Sequence, residues 1–150
     1  MNSKRNINPK EICAQIKKGS ITALSKAITL SESNIDSDQE LANKILVKLK
    51  NKNNDSIRIG ITGVPGAGKS TFIESFGNYL TKQGLKLAVL TIDPSSSVTK
   101  GSILGDKTRM ETLSANKDVF IRPSPASNFQ GGVGKNTRES IFLCESAGYD

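Results

Sequence analysis

Gly63-Val64-Pro65-Gly66-Ala67-Gly68-Lys69-Ser70 has the form G-x-x-x-x-G-K-[ST] and is the stretch on which the fold turns. Gly63, Gly66 and Gly68 let the backbone curl closely around an anion with its N–H groups inward, and a helix starting at Lys69 would aim its positive end at the same point. Lys69 adds a point charge suited to β- and γ-phosphates. The Ser70 hydroxyl suits Mg²⁺, which takes few protein oxygens and keeps several waters. The competing reading is a glycine-rich turn with an unremarkable lysine. Composition alone brings the four fixed positions together in roughly half a per cent of chains of this length, which favours nucleotide phosphate binding.

Outward from the loop, the pattern matches that reading. Ile57, Ile59 and Ile61 alternate as a strand should, and Phe72, Ile73, Phe76 and Leu80 recur at helical spacing up to Gly84. Leu85 to Ile92 is a second, buried strand ending at Asp93-Pro94. Asp106 can cap a short helix bearing Met110 and Leu113. Val119 to Arg122 is a third strand, with Pro123 as its stop, and a last helix runs from about Asn136 to Ala147 with Gly148 beyond it. Strands alternating with helices predict an α/β fold with a mostly parallel sheet. Upstream, residues 50 to 56 are polar and aperiodic and read as a linker. Before it, Asn8-Pro9 and Ser20 each start a helix, and Ser37 with Glu40 forms a capping box for a third striped by Leu41, Ile45 and Leu49. The predicted division is a helical arm and linker over 1–55 and a nucleotide-binding part over 56–150.

Asp93 sits where the second strand meets its loop, the edge at which open α/β sheets collect ligands. There a carboxylate could hold a water of Mg²⁺ or orient an attacking water; Asp-Pro equally begins a turn. For Asp106, a helix cap is sufficient explanation. Lys100, Lys107, Arg109, Lys135 and Arg138 could offset phosphate charge, though solvated surface positions explain them as well. Gly131-Gly132-Val133-Gly134 resembles an anion-binding turn without a preceding strand, so a loop is the default there.

Composition narrows the chemistry further. The 150 residues include 21 Lys plus Arg, 14 Asp plus Glu, two Cys and no His. Without histidine there is no Ser-His-Asp or Cys-His nucleophile pair and no His-containing zinc site. The net charge of +7 is spread along the chain and lacks interleaved aromatics, so nucleic acid is not an expected partner. Cys13 and Cys144 form no C-x-x-C pair and read as small buried thiols. No signal peptide or stretch of membrane-spanning length is present, so a cytoplasmic protein without a membrane partner is expected.

Longer blocks carry a family resemblance. Gly60 to Thr71, Ala88-Val89-Leu90 to Asp93-Pro94-Ser95-Ser96, Gly101 to Met110, Phe120 to Pro125, Thr137-Arg138-Glu139 and Leu143 to Asp150 resemble the methylmalonyl-CoA mutase-associated GTPases, the MeaB/ArgK family, whose older label is lysine, arginine and ornithine transport ATPase. The resemblance implies a P-loop NTPase of the dimerising G-protein branch, using GTP and Mg²⁺. It implies a G-protein chaperone of an adenosylcobalamin-dependent acyl-CoA mutase, homodimeric at full length. By position, Gly66 to Thr71 would cradle phosphate, with Gly63, Val64 and Pro65 completing the loop. Lys69 and Asp93 would be catalytic, and Ser70, Asp93 and Asp106 would lie at the metal. Val64 and Pro65 stand where partition-type ATPases of this branch carry a second lysine, which argues against those relatives.

The resemblance implies further parts after Asp150: an acidic metal-associated strand, a second switch, an Asn-Lys-x-Asp guanine-reading motif and a dimerisation arm. Residues 56–150 are therefore expected to form the first half of the GTPase domain, an incomplete fold that stops before the Walker B strand. Two other functions stay open on the residues: an ATP-dependent kinase or transport-associated ATPase, and a nucleotide-binding module without turnover.

Overall fold

The computed structural model describes residues 8–50, 55–93, 110–125 and 136–150. The first elements form where capping chemistry and apolar spacing agree. Helix α1, Pro9–Lys17, starts with Pro9 at its first position, and the Asn8 side chain accepts a hydrogen bond from the Lys10 N–H at 3.0 Å. Helix α2, Ile21–Glu32, is capped by Ser20, whose hydroxyl oxygen accepts from the Ala23 N–H at 3.3 Å.

Helix α3, Asp36–Leu49, departs from the predicted start. Its N-cap is Ile35, so Ser37 lies inside the first turn and the Ser37/Glu40 box is not used. Ser33 organises the approach to the helix instead: its hydroxyl donates to Asp38 at 2.8 Å and accepts from the Ile35 N–H at 3.2 Å. A serine four residues earlier, with Asp38 as partner, satisfies the chain before Ser37 can.

Two compact units emerge. The first holds α1, α2 and α3 together with residues 138–148. Its core is Ile16, Leu24, Ile28, Ile45, Leu49 and Leu143, none more than 1% exposed. Both cysteines are buried here and free. The Cys13 thiol donates to the Ile45 carbonyl at 3.6 Å, and burial raises its pKa against the opposing pull of Lys17 and Lys48. Burial, with Glu145 adding to it, pushes the Cys144 thiol up to about 12. An unfolded thiol ionises near pH 8.5, so stability contributed by these buried neutral thiols is fully present below about pH 8.5 and falls as pH rises toward their native values. Alkylation of Cys144 in the native protein at pH 8 is accordingly expected to run on the order of a thousandfold slower than in denaturant. Equal rates in the two conditions would contradict its burial.

The second unit spans residues 55–137 and 149–150. It contains α4, Lys69–Lys82; β1, Leu87–Asp93; α5, Glu111–Ser114; and β2, Val119–Pro125; the last helix, α6, Thr137–Ser146, begins at its boundary. β1 and β2 pair in parallel, from Leu87 opposite Val119 to Asp93 opposite Pro125. Val89, Met110, Leu113 and Val119 form the buried core beneath them, with Ile73 of α4 packed against it. Gly77 brings α4 close: a Cβ there would lie 2.8 Å from both Leu113 methyls and from one Leu87 methyl.

Pro123 does not stop its strand, which continues to Pro125 with Pro123 opposite Thr91. A missing donor is tolerated where no ladder bond requires it, and among the described residues β2 has β1 alone as partner. Residues 57–61 form no ladder with either strand. Ile57, Ile59 and Ile61 are 79%, 58% and 39% exposed: alternation makes no ladder without a strand beside it among the described residues, and the Ile57 N–H donates instead to the Asp150 carbonyl at 2.7 Å. No helix among the described residues is long and apolar enough to cross a membrane.

Candidate functional site

The loop from Gly63 to Gly68 leads directly into α4, the geometry that a phosphate cradle requires. Gly66 and Gly68 take φ of +80° and +83°, in the left-handed region that side chains disfavour. Gly68 is the N-cap of α4 and offers no side-chain acceptor to the first turn. The helix's opening N–H groups are therefore left for an anion, with the positive end of the helix dipole behind them. Phe72 makes the first helical bond, donating its N–H to the Gly68 carbonyl at 2.9 Å, and the Ala67 N–H closes the turn on the Val64 carbonyl at 3.3 Å.

Lys69 is folded back over its own loop. Its Nζ donates to the carbonyls of Gly63 at 2.7 Å and Val64 at 2.8 Å, which places the ammonium at the mouth of the cradle. Gly63, Val64, Pro65, Gly66, Ala67 and Gly68 are exposed, as is Thr71; Lys69 and Ser70 are half-buried at the start of the helix. These residues fit a nucleotide phosphate: uncapped helix donors, two left-handed glycines and one cation converge. They also fit Mg²⁺, which needs only one or two protein oxygens beside phosphate and water. No cluster of three or more His, Cys, Asp or Glu that could hold a metal by itself occurs among the described residues.

Asp93 is the last residue of β1, at the carboxyl edge of the parallel pair. Its side chain lies outside the described residues, as do Asp106, Lys100, Lys107, Arg109, Lys135 and Gly131 to Gly134. Arg138 is described and is exposed at the start of α6, outside the unit that holds the loop.

Sequence reading missed one group beside the loop. Glu74, one turn beyond Ser70 on α4, accepts through Oε1 from the N–H of Thr112 at 2.9 Å and of Leu113 at 3.3 Å, and from the Thr112 hydroxyl. Asn78, another turn on, donates to that hydroxyl at 2.8 Å. The four-residue spacing of Ser70, Glu74 and Asn78 was the available signal; the partner 34 to 39 residues away was not.

Comparison with known proteins agrees with this geometry. Residues 24–150 match the family model described as methylmalonyl Co-A mutase-associated GTPase MeaB. The chain is 47% identical over 140 residues to GTPase ArgK of Escherichia coli strain K12, covering 93% of this chain and 42% of that protein. It is 54% identical over 132 residues to a putative GTPase of Caulobacter vibrioides, covering 88% and 40%. It is 49% identical over 143 residues to the mitochondrial methylmalonic aciduria type A homolog of Mus musculus, covering 89% and 34%. Among solved structures, a LAO/AO transport system kinase superposes with a TM-score of 0.74 at 35% identity, covering all of this chain and 42% of that one. The chain thus spans between about a third and two fifths of the length of these curated relatives, and the P-loop NTPase fold expected from the loop is the fold of that neighbour.

Proposed function

Since the chain belongs to the methylmalonyl-CoA mutase-associated GTPase family MeaB, we propose that it supplies the phosphate-binding part of a Mg²⁺-dependent GTPase that acts as a chaperone of an adenosylcobalamin-dependent acyl-CoA mutase. The observation that carries this reading is the loop at residues 63–68 running into an uncapped helix, with the Lys69 ammonium at its mouth. Loop amides and the first turn of α4 hold the β- and γ-phosphates, and Lys69 places a fixed positive charge beside them. Ser70 would supply a hydroxyl oxygen to Mg²⁺, and Asp93, at the end of β1, would orient a water; Asp106 is assigned to the metal's surroundings. The chemistry a bound Mg²⁺ would supply is positive charge against the phosphates. Turnover then rests on positioning and electrostatic stabilisation, in keeping with a chain that has no histidine. A homodimeric full-length protein belongs to the same proposal.

The mutase as partner is supported by the description of the family model. A second reading, an ATP-dependent kinase, is favoured by the solved neighbour, which is described as a transport system kinase. Competition between GTP and ATP for a fluorescent GTP analogue on the full-length protein separates the two. GTP is expected to displace the analogue at a concentration at least about tenfold below ATP, the difference that roughly one base-specific hydrogen bond would make; preferential ATP binding would overturn the GTPase reading.

A further inference from the structure

Ser70, Glu74 and Asn78 stand on one face of α4 at successive turns, and the last two hold Thr112. Helix α5 has no cap of its own: its N-cap is Met110, which makes no side-chain capping bond. The Glu74 carboxylate takes that place from another element, binding the N–H groups of Thr112 and Leu113 and the Thr112 hydroxyl. Its second oxygen is buried and has no hydrogen-bond partner among the described residues, so the cap uses Oε1 alone. Leu113, adjoining this contact, is fully buried in the core with Val89 of β1.

The clamp therefore links the helix that carries Ser70 to the core beneath the strand that ends at Asp93. We propose that Glu74 is a positioning residue of the phosphate site: by holding α5, it fixes the first turn of α4, and with it the Ser70 hydroxyl, relative to the carboxyl end of β1. The proposal rests on the phosphate-site reading above. A carboxylate is not needed for its charge, because one acceptor oxygen makes every contact; Gln should therefore serve where Ala cannot. Thr112→Val keeps the backbone donor and loses the hydroxyl that joins Glu74 to Asn78.

The test measures GTP turnover against GTP and Mg²⁺ concentration in the full-length protein, with rates normalised to the folded fraction. Glu74→Ala is expected to lower kcat at least about tenfold, with KM changed less than about threefold and a higher Mg²⁺ concentration for half-maximal turnover, since small misplacements of positioned groups cost up to about a hundredfold. Glu74→Gln should retain at least about half of the parent rate, and Thr112→Val should lose about threefold with the same change in Mg²⁺ requirement. Unchanged kcat and Mg²⁺ dependence in Glu74→Ala, or equal damage by Gln and Ala, overturns the proposal. If Glu74→Ala does not fold, an unchanged Mg²⁺ requirement in Thr112→Val overturns it. A silent Glu74→Ala beside an inactive Lys69→Ala sinks the positioning role alone, whereas a fully active Lys69→Ala sinks the phosphate-site reading as well.

Discussion

Lys69→Ala is expected to lower GTP turnover by the full-length protein at least about a hundredfold, the loss typical when one preorganised donor to developing charge is removed. The direction follows from placement. The Lys69 ammonium bonds only to the carbonyls of Gly63 and Val64 among the described residues, so its charge is tethered at the loop and unmatched by any carboxylate there. An anion arriving at the first turn of α4 meets that charge with little rearrangement. Stability should change little, by about 0.5 kcal/mol, because the site is largely exposed and the helix keeps its own first bond from Phe72 to Gly68. Steady-state hydrolysis and an unfolding curve on the same variant check both halves. A Lys69→Ala protein that hydrolyses GTP at the parent rate would remove the loop from the mechanism.

Gly77→Val is expected to cost about 3 kcal/mol of stability, the upper part of the range for inserting atoms into a packed core. Position 77 is a helix interior, where replacing glycine by alanine normally gains about 1 kcal/mol and by valine less. Here that gain is outweighed. A single Cβ already comes within 2.8 Å of three leucine methyl groups, and Leu113 is fully buried with no open side toward which to turn. Valine adds two more carbons at the same contact. Gly77→Ala should be milder, a loss of about 1 kcal/mol, as the propensity gain partly offsets the contact. Because the strain is local, Leu113→Ala should absorb part of it, and the double variant should be less destabilised than the two single variants added together. Denaturant unfolding of the four proteins measures this, and a Gly77→Val protein as stable as the parent would contradict the close approach.

These two residues also mark how far the sequence can be read. Lys69 was legible because its chemistry is local: glycines, lysine and serine at fixed spacing define a cradle wherever a helix follows. Asn8, Pro9 and Ser20 were legible for the same reason, as caps act within three residues. Gly77 is not legible in this way, since nothing in the spacing shows that Leu87 and Leu113 meet it. The same holds for Glu74, whose contact lies more than thirty residues away. The Ser37/Glu40 box is not used because α3 begins two residues earlier, after Ile35, with Ser33 and Asp38 bonded across its entry. Pro123 shows that whether proline ends a strand depends on whether a neighbour needs an N–H at that position, which a sequence does not reveal. Ile57, Ile59 and Ile61 show the converse: alternation reports a face and says nothing of what lies beside the strand.

Hydrogen exchange at the backbone amides of residues 63–72, in the presence and absence of GTP with Mg²⁺, tests the phosphate site most directly. Among them, the N–H groups of Gly66 and of residues 68–71 belong to an exposed loop and an uncapped first turn, so exchange there is expected to slow by about tenfold or more on nucleotide binding, as phosphate oxygens become their acceptors. Nucleotide binding that protects amides elsewhere and leaves residues 63–72 unchanged would contradict a phosphate cradle at this loop.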